Sequence, residues 1–94
     1  MNTVLRDSFL RACRSRLTQD EYSVLMQILV DLSTSLADPA RHTGVGLRKL
    51  NPHPVWEVRL GLKMRALFRR EDDQVIFVFL GTHDEVRRFL HKLS

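Results

Sequence analysis

Five side chains in the second half of the chain have the types and spacing for acid–base chemistry on a phosphate. Glu57 and Arg59 alternate with Trp56, Val58 and Leu60. Arg65 and Arg69 alternate with Met64, Ala66 and Phe68, and His83 stands two residues after Gly81. A period of two sends successive side chains to opposite faces of a strand. If helices cover the face of Trp56, Met64 and Phe68, then Glu57, Arg59, Arg65 and Arg69 share the other face. Gly81 and His83 close that face at the end of a third strand. The product is a basic concave surface with a carboxylate and an imidazole at its edge. Acid–base cleavage of RNA uses such groups. One takes the proton of a 2′-OH, one protonates the leaving 5′-oxygen, and cations neutralise the phosphorane between them.

The pattern also admits plainer readings. Alternating arginines are commonly the solvated face of an amphipathic strand. His83 can be a turn or near-cap residue, Glu57 can pair with Arg59 or Arg65, and Trp56 reads as core rather than as a platform for bases. Other chemistries find no support. His42, His53, His83 and His91 have no metal-ligand spacing, so no metal or other cofactor is expected. There is no Ser/His/Asp arrangement, no phosphate-binding glycine loop and no nucleotide fingerprint.

The elements that must position these groups fit one domain spanning the 94 residues. The formal net charge is +4, and twelve of the fifteen basic residues are arginine. Residues 1–47 carry five basic and five acidic side chains, whereas residues 48–94 carry ten and six, so the whole excess lies with the candidate site. Arginine suits phosphate or carboxylate because its planar fork donates two hydrogen bonds at once. A single cysteine, Cys13, excludes an intrachain disulfide framework and suits a reducing cytoplasm. No apolar run is long enough to span a bilayer, and the first residues do not read as a signal peptide.

Residues 2–5 have the makings of a short strand. Phe9, Leu10, Cys13 and Leu17 recur at helical spacing within Arg6 to Leu17. Thr18-Gln19-Asp20-Glu21 is a capping-box pattern, followed by the stripe Tyr22, Leu25, Met26, Leu29, Leu32 and Leu36. Asp38-Pro39 ends that helix. Residues 38–54 connect, with a short turn or strand at Leu47-Arg48-Lys49-Leu50. Strands over 55–60 and 64–69 flank a Gly61-Leu62-Lys63 hairpin turn. Arg70-Glu71-Asp72-Asp73 forms a second turn, and Val75 to Leu80 is a covered strand that Gly81 breaks. Thr82-His83-Asp84-Glu85 is a second capping box, opening a helix with Val86, Phe89, Leu90 and Leu93 on one side. The expected class is α+β: an N-terminal helical hairpin on a small antiparallel sheet, with a short C-terminal helix.

These pieces, in this order, resemble the RelE/ParE toxin superfamily. The likeness rests on Leu47-Arg48-Lys49-Leu50, Val55 to Leu60, Arg65-Ala66-Leu67-Phe68, Val75 to Leu80 and Gly81-Thr82-His83-Asp84-Glu85. The last run is similar to the YafQ branch and to the branch ending in His-Asp-Glu. The resemblance implies a toxin of a bacterial type II toxin–antitoxin system, cytoplasmic, cleaving mRNA at the ribosome by 2′-OH attack without a metal. It implies a cognate antitoxin as partner, encoded by an adjacent gene. It places Arg65 at the family's phosphate-contacting arginine and Arg59 at a basic position of the preceding strand. His83 falls at the catalytic histidine of the YafQ branch, and Glu57 at a lysine of RelE. Arg48, Lys49, Lys63, Arg69 and Arg87 are the further cations expected to contact RNA. Phe89 stands where RelE has a functional tyrosine. Two other outcomes stay open on the same fold: a non-enzymatic gyrase poison of the ParE kind, and an inactive member that binds a protein partner.

Overall fold

The computed structural model describes residues 2–37, 48–50 and 52–93. The Asp38-Pro39 stop, His42, Gly44, Gly46 and Leu47 lie outside the described residues, as does the side chain of Leu36. Helix α1 (Asp7–Arg16) and helix α2 (Gln19–Ala37) are separated by Leu17 and Thr18. The capping box at α2 forms as its residues require. The backbone N–H of Glu21 donates to Thr18 Oγ1 at 3.1 Å, and that of Thr18 donates to Glu21 Oε1 at 2.8 Å.

Strands β1 (Asn2–Leu5), β2 (Arg48–Lys49), β3 (Trp56–Arg59), β4 (Met64–Glu71) and β5 (Gln74–Thr82) make one sheet in the order β1-β5-β4-β3-β2. The meander β3-β4-β5 is the one expected. Two further strands join it: β2 runs antiparallel to β3, and β1 runs parallel to β5. The sheet is therefore mixed and five-stranded. A parallel partner needs a long crossover, here everything between β1 and β5, and nothing local in residues 2–5 announces it.

One face carries the main core. Val58, Leu60, Met64, Ala66, Phe68, Val75, Phe77 and Leu80 meet Phe9 and Cys13 of α1 and Leu25, Ile28 and Leu32 of α2. Trp56 and Leu29 pack against this cluster half-buried, and the Trp56 ring stacks on Phe68 with centroids 6.3 Å apart. Phe68 in turn lies 5.3 Å from Phe77, which lies 5.2 Å from Phe9. Burial pushes the Cys13 thiol pKa up, so this cysteine behaves as a small apolar residue.

Helix α3 (His83–Leu93) takes the opposite face. Its Val86 joins Leu50, Val55 and Leu67 in a second, smaller cluster, with Val78, Phe79, Phe89 and Leu90 against it. The capping box at Thr82 also forms: Glu85 N–H donates to Thr82 Oγ1 at 3.3 Å, and Thr82 N–H donates to Glu85 Oε1 at 2.9 Å. The same Glu85 carboxylate accepts both guanidinium nitrogens of Arg16, at 2.7 and 3.1 Å, tying the end of α1 to the start of α3. The Arg16 hydrogen bonds, with the Thr82 N–H behind them, hold the Glu85 pKa down to about 2.

Three local details differ from the sequence reading. The second turn is tighter, because β4 runs on to Glu71 and Asp72 takes φ 51°, which Asp tolerates in tight turns. Gly81 does not break β5. It pairs with Arg65 inside the ladder, and a Cβ there would sit 2.8 Å from Phe79 Cε2 and 2.9 Å from Glu85 Cβ. The glycine serves close packing of α3 on β5. Finally, β5 carries an extra residue. Leu67 pairs with Phe79 and Phe68 with Phe77, so Val78 is bulged. The bulge reverses the alternation, putting Phe79 and Gly81 on the face of Leu67 and Arg65.

Candidate active site

Strand register builds the site. Arg48 pairs with Glu57, Arg59 with Arg65, and Arg65 with Gly81. Directly opposed residues share a face. The sheet thus presents Arg48 and Glu57 in one row and Arg59 and Arg65 in the next, on the side away from α1 and α2. The Val78 bulge is what lets Gly81 end this row, so that His83, the first residue of α3, follows beside Arg65.

Together these side chains enclose a cavity of about 170 Å³. Arg48, Glu57, Arg59 and Arg65 wall it from the sheet, and His83 and Arg87 wall it from α3. Leu50, Val86 and Leu90 supply apolar lining. Among the described residues Glu57 is the one buried charged side chain, 5% exposed. Its Oε1 lies 3.5 Å from Arg65 Nε, a pairing that offsets the cost of burying either charge. That contact does not satisfy the arginine: Arg65 Nε is buried with no hydrogen-bond partner. A buried N–H left unmet costs about 1–3 kcal/mol. Arg69 Nε, further along β4 and outside the cavity, is buried and unmet in the same way.

A wider cavity of about 480 Å³ adjoins the first. It shares Arg65 and His83 and adds Leu62 and Lys63 of the β3–β4 turn, with Thr82 and Asp84 of the β5–α3 junction.

Of the residues expected from sequence, Glu57, Arg59, Arg65, His83, Arg48 and Arg87 therefore line one cavity, and Lys63 lines the next. Lys49 and Arg69 do not join them. Lys49 pairs with Trp56, which puts it on the helix-covered face. Arg69 is four residues along β4 from Arg65, roughly 13 Å at strand spacing, and binds Glu71 at 3.2 Å. The sequence reading missed Leu50, Val86 and Leu90 as lining, and Leu62 and Asp84 in the wider cavity. The helical spacing of Val86 and Leu90 marked the apolar side of α3, though not the sheet face on which it packs.

Among the described residues no three His, Cys, Asp or Glu side chains converge as a metal site, and no helix is long and apolar enough to cross a membrane. No protein-family model and no curated protein matches the chain. Solved structures do. A copper-bound point mutant of a toxin from Helicobacter pylori is similar at TM-score 0.57 and 19% identity, over 92% of this chain and 98% of that one. A YoeB/ParE toxin from Agrobacterium tumefaciens is similar at TM-score 0.56 and 16% identity, over 88% and 99%. A conserved hypothetical protein of Helicobacter pylori, solved in solution, is similar at TM-score 0.50 and 19% identity, over 92% and 98%. The chain shares its fold with these solved proteins, and that fold is the α+β arrangement expected from its motifs.

Proposed function

We propose that this chain is the toxin of a type II toxin–antitoxin pair and acts as an endoribonuclease on mRNA, with its active site in the cavity between β3, β4 and α3. The observation that carries this reading is the convergence there of one carboxylate, one imidazole and four arginines. In the proposed reaction Glu57 takes the proton of a 2′-OH, and O2′ attacks the adjacent phosphorus. The P–O5′ bond breaks and His83 donates its proton to O5′. The products are a 2′,3′-cyclic phosphate and a 5′-OH. Arg65 and Arg59 hold the phosphate oxygens as charge builds, while Arg48, Arg87 and Lys63 grip the flanking backbone. Lys49 and Arg69 take no part. The positive half of the chain also suits an acidic antitoxin, whose binding should weaken with salt. The site of action is the cytoplasm, at the ribosome.

The test is induction of the chain in cells, scored by growth arrest and by primer extension on a reporter mRNA. Wild type should arrest growth and cut the message. His83→Gln should lower cleavage by about 10²–10⁴-fold while RNA binding persists. Arg65→Lys should weaken binding and cleavage together, because an ammonium cannot make the two-pronged contact. Growth arrest without any mRNA cuts would replace this reading with a non-enzymatic poison of the ParE kind. No arrest, with tight binding to the product of an adjacent gene, would leave an inactive relative.

A further inference from the structure

We propose that the wider cavity is a base-reading subsite, in which Asp84 selects bases carrying an exocyclic amine over uracil. The inference rests on the RNA-binding reading of the neighbouring cavity. The two cavities meet at Arg65 and His83, the residues common to both. A phosphate held at that junction leaves the nucleotides on its two sides in different surroundings.

The narrower cavity has four arginines and suits the charged backbone. The wider one has a single added cation, Lys63, and two features that suit a base. Leu62 is fully exposed at the tip of the β3–β4 turn, an apolar surface on which a ring can lie. Asp84 is exposed in the first turn of α3, where the helix N-terminus keeps a carboxylate comfortable. Among the described residues it makes no ion pair, although Lys63 lines the same cavity. A carboxylate accepts hydrogen bonds and repels phosphate, so a backbone oxygen is excluded from its side of the cavity. The exocyclic amines of cytosine, adenine and guanine offer N–H donors outside the ring, whereas uracil offers one ring N–H set between two carbonyls that repel a carboxylate. Single-stranded RNA presents these base edges freely. Uracil places a carbonyl where cytosine places its amine, and two acceptors would then face each other. Asp84 is exposed, so water meets it when the base does not, and the discrimination is of the order of one hydrogen bond.

The experiment compares two 2′-O-methyl trinucleotides, all cytosine and all uracil, which the 2′-O-methyl group protects from cleavage. Binding to the full chain is measured by titration calorimetry at low salt. Wild type should bind the cytosine trimer about fivefold or more tightly than the uracil trimer. Asp84→Ala should bring the two affinities within about twofold, chiefly by weakening cytosine. Arg65→Met should weaken both trimers alike. Equal binding of both trimers by wild type overturns the subsite and leaves the nuclease reading standing. A preference that survives in Asp84→Ala overturns the assignment to Asp84. Failure to bind either trimer removes the RNA-binding reading and the subsite with it.

Discussion

The two faces of the sheet are made by the same strands yet serve different ends. Towards α1 and α2, β3 and β4 send Val58, Met64, Ala66 and Phe68 into a core that reaches Phe9, Leu25 and Phe77. Towards α3 they send Glu57, Arg59, Arg65 and Leu67, and apolar packing shrinks to a cluster around Leu67 and Val86. In a domain this small one face must supply most of the stability, since little surface is buried in total. The other face is then free to hold charges that contribute little to folding. Alternation along two strands divides the labour, so a substitution at residue 67 and one at residue 68 report on different things.

The largest effect should come from the helix-covered face. Phe68→Ala removes a ring that is fully buried and touches both Trp56 and Phe77. It should cost about 3–5 kcal/mol, read as a lowered urea midpoint. Against a total of about 5–15 kcal/mol, that is a large share of the stability. A cost under about 1 kcal/mol would show that this face is not where stability resides.

Next comes the seam between the faces. Gly81→Ala places a methyl against Phe79 and Glu85, and β5 and α3 must separate to admit it. The expected loss is about 1–3 kcal/mol, with a change in the amide spectra of residues 81–86.

The site face should behave in the opposite way. Removing Glu57 alone strands Arg65, but the double replacement Glu57→Leu with Arg65→Met exchanges a buried pair for apolar side chains. Stability should hold within about 1 kcal/mol or rise, while the RNA cleavage proposed for this site is lost. A double variant that is both unstable and active would invert the assignment of the two faces.

The smallest effect concerns acid. Glu85 has its pKa lowered to about 2, first by Arg16. A carboxylate depressed in the folded state contributes stability above its unfolded pKa, near 4.3, and loses it as pH falls towards 2. The pair is partly exposed, so solvent screens it and the slope should be shallow. Thermal melts between pH 6 and 2 should show less acid destabilisation in Glu85→Gln than in wild type. Equal slopes would mean that the Arg16 contact is absent in solution.

Much of this division was legible in the residues. The alternation of Trp56 and Val58 with Glu57 and Arg59 placed both sets correctly, because a strand with one buried face leaves only one register. Thr18/Glu21 and Thr82/Glu85 announced both helix starts. Three things were not legible, each because it is not local. The Val78 bulge lies in a run apolar on both sides, where parity leaves no mark, yet it is what brings Gly81 beside Arg65. The helix stripe of Val86 and Leu90 does not say which face it will cover. Lys49 looks like any other cation until pairing with Trp56 turns it away from the site.

The parallel contact between β1 and β5 has a consequence in time. Residue 2 pairs with residue 74, so β1 must wait for β5 to be synthesised before the two can pair. At about 5–20 residues per second, translation imposes a delay of several seconds. Helices α1 and α2 can form early, but Phe9 and Leu25 have no sheet to cover, and long-range closure of this kind slows folding. His83 and Arg87 emerge later still. The chain on the ribosome is therefore without the cavity that Arg65, His83 and Arg87 line, and the order of strands in the sheet sets the moment at which that cavity is first assembled.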